Sequence, residues 1–102
     1  MANPTRKNYI SDVTKAFGDI TGGYTELVDL GEEYLYRRLL IYSSLDESVT
    51  LKFTNTLTSE LVVPVNWEFA LDDFWHDSVI EIKHNGDAPT EGFLKIESWR
   101  GE

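Results

Sequence analysis

Apolar and polar residues alternate most clearly over residues 34–55, a pattern that predicts two β-strands joined by a polar turn at residues 43–48. The second strand alternates as a half-buried antiparallel strand does, with apolar residues at 49, 51 and 53 and polar residues at 50, 52 and 54. The first strand, residues 34–42, is apolar or aromatic on both phases and is interrupted only by Arg37 and Arg38. We interpret the pair as a central hairpin, and the first strand as one covered on both faces.

Two later segments, residues 79–84 and 93–99, alternate in the same way. Asn85-Gly86 between them is a strong hairpin signal. The apolar segment 60–69 contains Pro64, which predicts a strand that lies at an edge, is broken or carries a bulge. These segments and their turns predict an all-β fold, an antiparallel β-sandwich or a jelly-roll-like body, with a small open barrel as the alternative.

The beginning of the chain is less regular. Residues 1–8 are polar, and residues 9–15 alternate weakly because Ile10 and Val13 fall out of phase. Residues 9–15 fit either a short strand or an extended arm, and we predict an extended N-terminal arm at residues 1–17 and a single sandwich domain at residues 18–102. Within that domain, residues 24–30 fit a helix and a strand equally well.

The net charge of −9 is unevenly distributed along the chain. Residues 1–17 carry Arg6, Lys7 and Lys15 against Asp12, a net charge of +2 that leaves −11 for the rest. An acidic body repels phosphate groups, so we expect no direct nucleic-acid partner. The basic arm suits an acidic neighbouring protein.

The apolar runs and the cysteine content exclude several classes of protein. No apolar run has the roughly 18 residues of a spanning helix, and the start lacks the apolar core of a signal peptide. We therefore expect no membrane partner and assembly in the cytoplasm. The absence of cysteine removes thiol chemistry and disulfides.

The densest polar cluster is the run Asp72-Asp73-Phe74-Trp75-His76-Asp77. Its carboxylates and imidazole suggest a cation site or acid–base chemistry. However, the run lacks the glycine of an EF-hand, and His84 is the only other histidine for a zinc site. We interpret it as a solvated loop pinned by its two aromatic residues, and we predict no metal.

Catalytic motifs are also missing. None of the serines lies in a G-x-S-x-G elbow, and Gly22-Gly23 lacks the residues of a phosphate loop. We expect a non-enzymatic protein without a cofactor.

Aromatic residues and arginines supply the candidate binding surface. Trp67, Trp75 and Trp99, together with tyrosines 34, 36 and 42, suit core packing, a protein interface or a platform for sugar rings. Adjacent Arg37 and Arg38 point to opposite faces of a strand. One of them therefore needs a carboxylate near the core or rim, or forms a salt bridge to another subunit.

From residue 24 onward, about three-quarters of the chain resembles small all-β virion proteins of tailed phages. The matching segments are YTELVDLG, YRRLLIYSSLDESVTLKF, VVPVNWEFALDDF and VIEIKHNGDAPTEG, followed by a short final strand. The resemblance implies a structural role in many copies per particle, as in capsid decoration or cement proteins, and no catalytic residues.

The resulting hypothesis is a capsid decoration protein of a phage virion, assembled in the host cytoplasm. It is a homo-oligomer that binds the major capsid protein or another virion protein. The candidate interface residues are Arg6, Lys7, Tyr36, Arg37, Arg38, Trp67, Trp75 and Trp99. The alternative is a carbohydrate- or receptor-binding module of a tail or fibre, and a weaker third option is a regulatory protein.

Overall fold

The structure is a computed structural model that describes residues 9–30, 37–54, 58–73 and 79–100. These residues form eight β-strands and a short 3-10 helix at Phe17–Asp19. The strands are β1 (Tyr9–Ala16), β2 (Thr25–Asp29), β3 (Arg37–Ser43), β4 (Val49–Thr54), β5 (Thr58–Val63), β6 (Trp67–Asp73), β7 (Val79–His84) and β8 (Phe93–Arg100). No helix in these ranges is long and apolar enough to cross a membrane.

The strands form two four-stranded antiparallel sheets. Sheet A has the order β1-β8-β3-β6, and sheet B has the order β2-β7-β4-β5. Strand β1 pairs with β8, β2 with β7, β3 with β6 and β4 with β5, while the β3–β8 and β4–β7 ladders complete the sheets. An eight-stranded double sheet with this nested pairing is a jelly roll. The prediction of an all-β sandwich is confirmed.

The core lies between the sheets and takes one phase from each strand. Leu39 and Ile41 of β3, and Leu51 of β4, have no exposed surface. Strand β8 contributes Leu94 and Ile96, as its alternation predicts. Complete burial of each such side chain stabilises the fold by about 1.5–3 kcal/mol.

Strands β3 and β4 are present as predicted, but they do not form a hairpin. They lie in opposite sheets, so the turn between them crosses the end of the sandwich. Leu45 in that turn is completely buried, and its backbone N–H donates to Ser43 Oγ at 3.2 Å. The buried leucine holds the turn against the core. A hairpin turn that lies in solvent needs no such contact.

The Asn85-Gly86 segment likewise joins two sheets, because β7 belongs to sheet B and β8 to sheet A. The connection packs against the β3–β4 turn. Ser44 N–H donates to Phe93 O at 2.9 Å, and Thr90 N–H donates to Asp46 Oδ1 at 2.8 Å. The hairpin prediction is therefore wrong here: the turn residues serve a connection between sheets.

Part of the predicted arm is a strand of the body. Residues 9–16 form β1, an edge of sheet A that pairs with β8. The register shifts between Tyr9 and Ser11, so one residue is inserted there. That insertion explains why Ile10 and Val13 fall out of phase. Residues 1–8 lie outside the described residues.

A second register shift explains the ambiguous segment at residues 24–30. Strand β2 is irregular between Glu26 and Val28, and Leu27 within the irregularity is buried. The extra residue in a β-bulge brings apolar residues to a spacing that imitates a helix.

The apolar segment with Pro64 is broken, one of the outcomes that its proline predicts. β5 ends at Val63 as an edge of sheet B, and β6 begins at Trp67 as an edge of sheet A. Proline suits the connection because it has no N–H to donate to a ladder.

Candidate functional site

A shallow cavity of about 410 Å³ opens on the outer face of sheet A, away from the core. It lies over β3, β6 and β8, and we call it the outer-face site. Its side-chain lining combines apolar and charged groups from residues Leu40, Tyr42, Glu68, Phe93, Lys95 and Glu97. The volume lies within the range of about 300–1,000 Å³ for small-molecule sites.

The register of sheet A explains how these side chains meet. Tyr42 of β3 lies between Lys95 of β8 and Glu68 of β6, and Leu40 lies opposite Glu97 and Ala70. All of them occupy the phase opposite to buried Leu39 and Ile41. The apolar residues on the second phase of β3 therefore form part of an accessible face.

An aromatic pair forms the apolar part of the site. The ring centroids of Tyr42 and Phe93 lie 5.6 Å apart with the planes inclined by 43°. Tyr42 is 40% exposed, and Phe93 is partly buried. The two rings offer a flat ligand a non-polar contact surface on an otherwise charged face.

The carboxylate of Glu97 is held in place by its neighbours on β8. Its Oε2 lies 3.1 Å from Lys95 Nζ, and Trp99 Nε1 donates to its Oε1 at 3.3 Å. Each carboxylate oxygen has a second lone pair available as an acceptor. Glu97 is thus an oriented hydrogen-bond acceptor at the rim of the aromatic pair.

A second surface surrounds the turn between β5 and β6, and we call it the β5–β6 corner. It consists of Val62, Val65 and Trp67, which are 60%, 44% and 50% exposed. Pro64 and Asn66 shape the turn, and Asn66 has a positive φ of 51°. The turn brings three large apolar side chains to the surface within six residues.

Two carboxylates lie close to the corner in sequence. Glu60 and Glu68 are on the strands next to the turn and are exposed. Glu60 lies opposite Lys52 of β4, and Glu68 lies opposite Tyr42 of β3. The corner therefore combines three exposed apolar side chains with a carboxylate on each of its two strands.

A third polar cluster covers the outer face of sheet B. Tyr24 Oη donates to Glu60 Oε2, and its ring lies 4.3 Å from Lys52 Nζ and 5.1 Å from Lys83 Nζ. Partial burial, followed by this hydrogen bond, raises the pKa of Tyr24 to about 12. Lys52 also pairs with Glu81 at 3.2 Å. These groups form a hydrogen bond, cation–π contacts and an ion pair with one another, so we assign them a structural role.

His84 lies at the end of β7 in the phase of the core. Its Nδ1 and the Oγ1 of Thr25 are buried, and no group of the described residues forms a hydrogen bond with either atom. A Cβ on Gly22 would lie 3.2 Å from His84 Cε1, so the glycine allows the chain to pass over the ring. In the described ranges, no three acidic or histidine side chains are grouped to hold a metal ion.

Four of the predicted interface residues, Arg6, Lys7, Tyr36 and Trp75, lie outside the described residues. The polar run at residues 72–77 is divided in the same way: Asp72 and Asp73 end β6, and the remainder is outside the described ranges.

The other predicted residues occupy two different surfaces. Arg38 is exposed and lies opposite Trp99 on the outer face of sheet A. The register places Arg37 and Arg38 opposite Asp73 and Asp72 of β6. Trp67 lies at the β5–β6 corner, apart from Arg38 and Trp99.

The charged and apolar partners of these aromatic residues were not predicted as site residues from the sequence. Glu68, Phe93, Lys95 and Glu97 become a site only through the β3–β6 and β3–β8 register. The available signal was the second phase of β8, which places Phe93, Lys95, Glu97 and Trp99 on one face.

Comparisons of the chain with protein-family models, curated proteins and solved structures found no match. The chemistry of the two surfaces therefore follows from their own residues.

Proposed function

We propose that this protein is a non-enzymatic structural protein of a tailed-phage virion, a capsid decoration protein that stabilises the shell through protein–protein contacts. The observation that carries the proposal is the β5–β6 corner. Val62, Val65 and Trp67 are exposed at the ends of two edge strands and in the turn that joins them. Exposed apolar side chains that include a tryptophan are typical of protein interfaces.

The wider properties of the chain support this role. Small phage virion proteins of this all-β kind are what the sequence resembles, and jelly rolls are common in viral capsid domains, although a fold alone does not determine a function. The net charge of −9 keeps copies apart before assembly. The partner is the major capsid protein or another virion protein, and the assembled protein is a homo-oligomer.

Glu60 and Glu68, on the two strands that meet at the corner, indicate the chemistry of the partner surface. Carboxylates on both sides of the corner favour a partner with lysine or arginine around an apolar pocket. Binding to such a partner should weaken as the salt concentration rises, because exposed charges are screened.

The test uses particles of the phage that encodes the chain, prepared without this protein. We expect the purified protein to bind these particles, to raise their thermal stability and to be present in complete virions by mass spectrometry. Trp67→Ala should weaken particle binding by about thirtyfold, the effect of losing the ~2 kcal/mol of an interface hot spot. Tyr42→Ala, which removes a similarly exposed aromatic ring from the other surface, is the matched control.

Absence of the protein from virions, together with no binding to deficient particles, would exclude the proposal. Equal binding by Trp67→Ala and the unmodified protein would exclude the corner as the interface.

A second candidate function is a carbohydrate- or receptor-binding module of a phage tail or fibre. The outer-face site favours it because the cavity combines a Tyr42–Phe93 pair with carboxylates at its border. A glycan array discriminates the two candidates: saturable binding to a defined glycan supports the second function, and binding to particles alone supports the first.

A further inference from the structure

We infer that the outer-face site binds a neutral saccharide, with a pyranose ring against Tyr42 and Phe93 and its hydroxyl groups donating to Glu97 and Glu68. This inference rests on the second candidate function and names its site and its class of ligand. It is independent of the β5–β6 corner, which belongs to a different surface.

The cavity combines apolar and polar contacts, as a sugar ring requires. A pyranose ring has an apolar face of C–H groups and an edge of hydroxyl groups. The Tyr42–Phe93 pair and Leu40 offer apolar contact to the face. Glu97 and Glu68 line the same cavity and offer acceptors to the edge.

The Glu97 carboxylate is oriented before any ligand binds. Lys95 at 3.1 Å and the Trp99 indole at 3.3 Å each hold one of its oxygens. Hydrogen bonds to a charged acceptor are stronger than those between neutral groups. A carboxylate already fixed in position loses less conformational entropy when a hydroxyl group donates to it.

The charge around the cavity favours neutral sugars over anionic ones. Glu68 and Glu97 border the cavity, while Lys95 is paired with Glu97. The chain carries −9 overall. A sialic acid, uronic acid or sulfated sugar would place an anion beside these carboxylates and is disfavoured by repulsion.

The experiment has two stages. An array of neutral, sialylated and sulfated glycans identifies binders, and NMR titration of the isotope-labelled protein with methyl glycosides of glucose, galactose, mannose and N-acetylglucosamine locates the site. We expect binding to neutral glycans only, with shifts confined to the residues that line the site, Leu40, Tyr42, Glu68, Phe93, Lys95 and Glu97.

Two variants test the roles of individual groups. Tyr42→Ala and Glu97→Gln should each lower the affinity for the bound glycan by about tenfold or more. Trp67→Ala is the matched control and should bind the glycan as the unmodified protein does. Both test residues lie on the outer phase of sheet A, so their substitution leaves the buried phase in place.

The outcomes are distinguishable. No glycan binding at all would overturn both the inference and the second candidate function. Glycan binding that survives Tyr42→Ala and Glu97→Gln, or shifts that lie at the β5–β6 corner, would overturn the inference alone. Equal binding of sialylated glycans, or concentration-dependent shifts of the same residues without a glycan, would also overturn it, the latter because a second copy would then occupy the face.

Discussion

At the scale of single residues, Gly92 lies where two connections of the jelly roll meet. Its φ is +91°, and a Cβ at this position would lie 2.1 Å from the carbonyl oxygen of Ser44. That oxygen belongs to a backbone fixed by the Ser44 N–H bond to Phe93 O. The contact therefore leaves no room for any side chain.

Gly92→Ala should lower the free energy of unfolding by about 3 kcal/mol or more, because it combines an unfavourable φ with a collision against backbone atoms. Urea denaturation followed by circular dichroism measures the change. Gly86→Ala is the control, because a Cβ there would have no atom of the described residues within 4 Å. If Gly92→Ala lost no more stability than Gly86→Ala, the β3–β4 turn and the β7–β8 connection would be able to move apart without a cost in free energy.

Asp46 contributes stability that depends on pH. Hydrogen bonds from the Thr90 hydroxyl, the Thr90 N–H and the Glu91 N–H hold the pKa of its carboxyl below the ordinary value of 3.8. A pKa lowered by folding means that this contribution is complete above the ordinary pKa. It is lost as the pH falls through the lowered, folded-state pKa.

Asp46→Asn should therefore destabilise the protein at neutral pH and reduce its loss of stability on acidification. Melting temperatures measured between pH 7 and pH 2 test this, with Asp87→Asn as a control that removes an exposed carboxylate from the β7–β8 connection, to which Asp46 is hydrogen-bonded. Parallel pH profiles for Asp46→Asn and the unmodified protein would contradict the assignment.

At the scale of elements, β1 is an edge strand whose loss would expose its central neighbour. It pairs with β8 from Tyr9 to Ala16, and Val13 lies opposite buried Ile96. Removing residues 1–17 should therefore cost a large part of the roughly 5–15 kcal/mol that stabilises a domain. Removing residues 1–8, which precede β1, should cost much less.

Thermal unfolding of the two truncated proteins measures the difference. Equal melting temperatures would mean that the β1–β8 ladder contributes little to stability, and would restore the expectation of a loose arm over residues 1–17.

Alternation along the chain predicts which face a strand buries, and for β4, β7 and β8 that prediction is correct. It does not identify the neighbour of a strand. The turns after β3 and β7 have hairpin chemistry, yet buried Leu45 and the Gly92 contact bind them to each other across the end of the sandwich. The outer-face site depends on that non-local register, so the sequence indicated Tyr42 and Trp99 without showing that Glu68 and Glu97 lie beside them.

At the scale of the whole molecule, all six ladders join a strand of the first half, β1–β4, to a strand of the second, β5–β8. Among the described strands, neither half contains a pair of its own. A polypeptide of residues 1–56 and one of residues 57–102 should each lack stable sheet structure and cooperative unfolding. Mixed in equal amounts, they should regain both.

Circular dichroism and NMR spectra of the separate and mixed fragments provide the measurement. A folded spectrum from either fragment alone would show that its strands pair in an arrangement that the intact chain does not use.

Strand β8 also affects how the protein is made. It follows the other described strands in sequence, and it lies between β1 and β3, which have no ladder with each other. Sheet A therefore cannot close until β8 has left the ribosome, and a copy released before that point lacks the strand that connects its edge to its centre. Proteases remove unfolded chains efficiently. The topology thus favours the supply of copies that contain β8 to whatever assembly the protein joins.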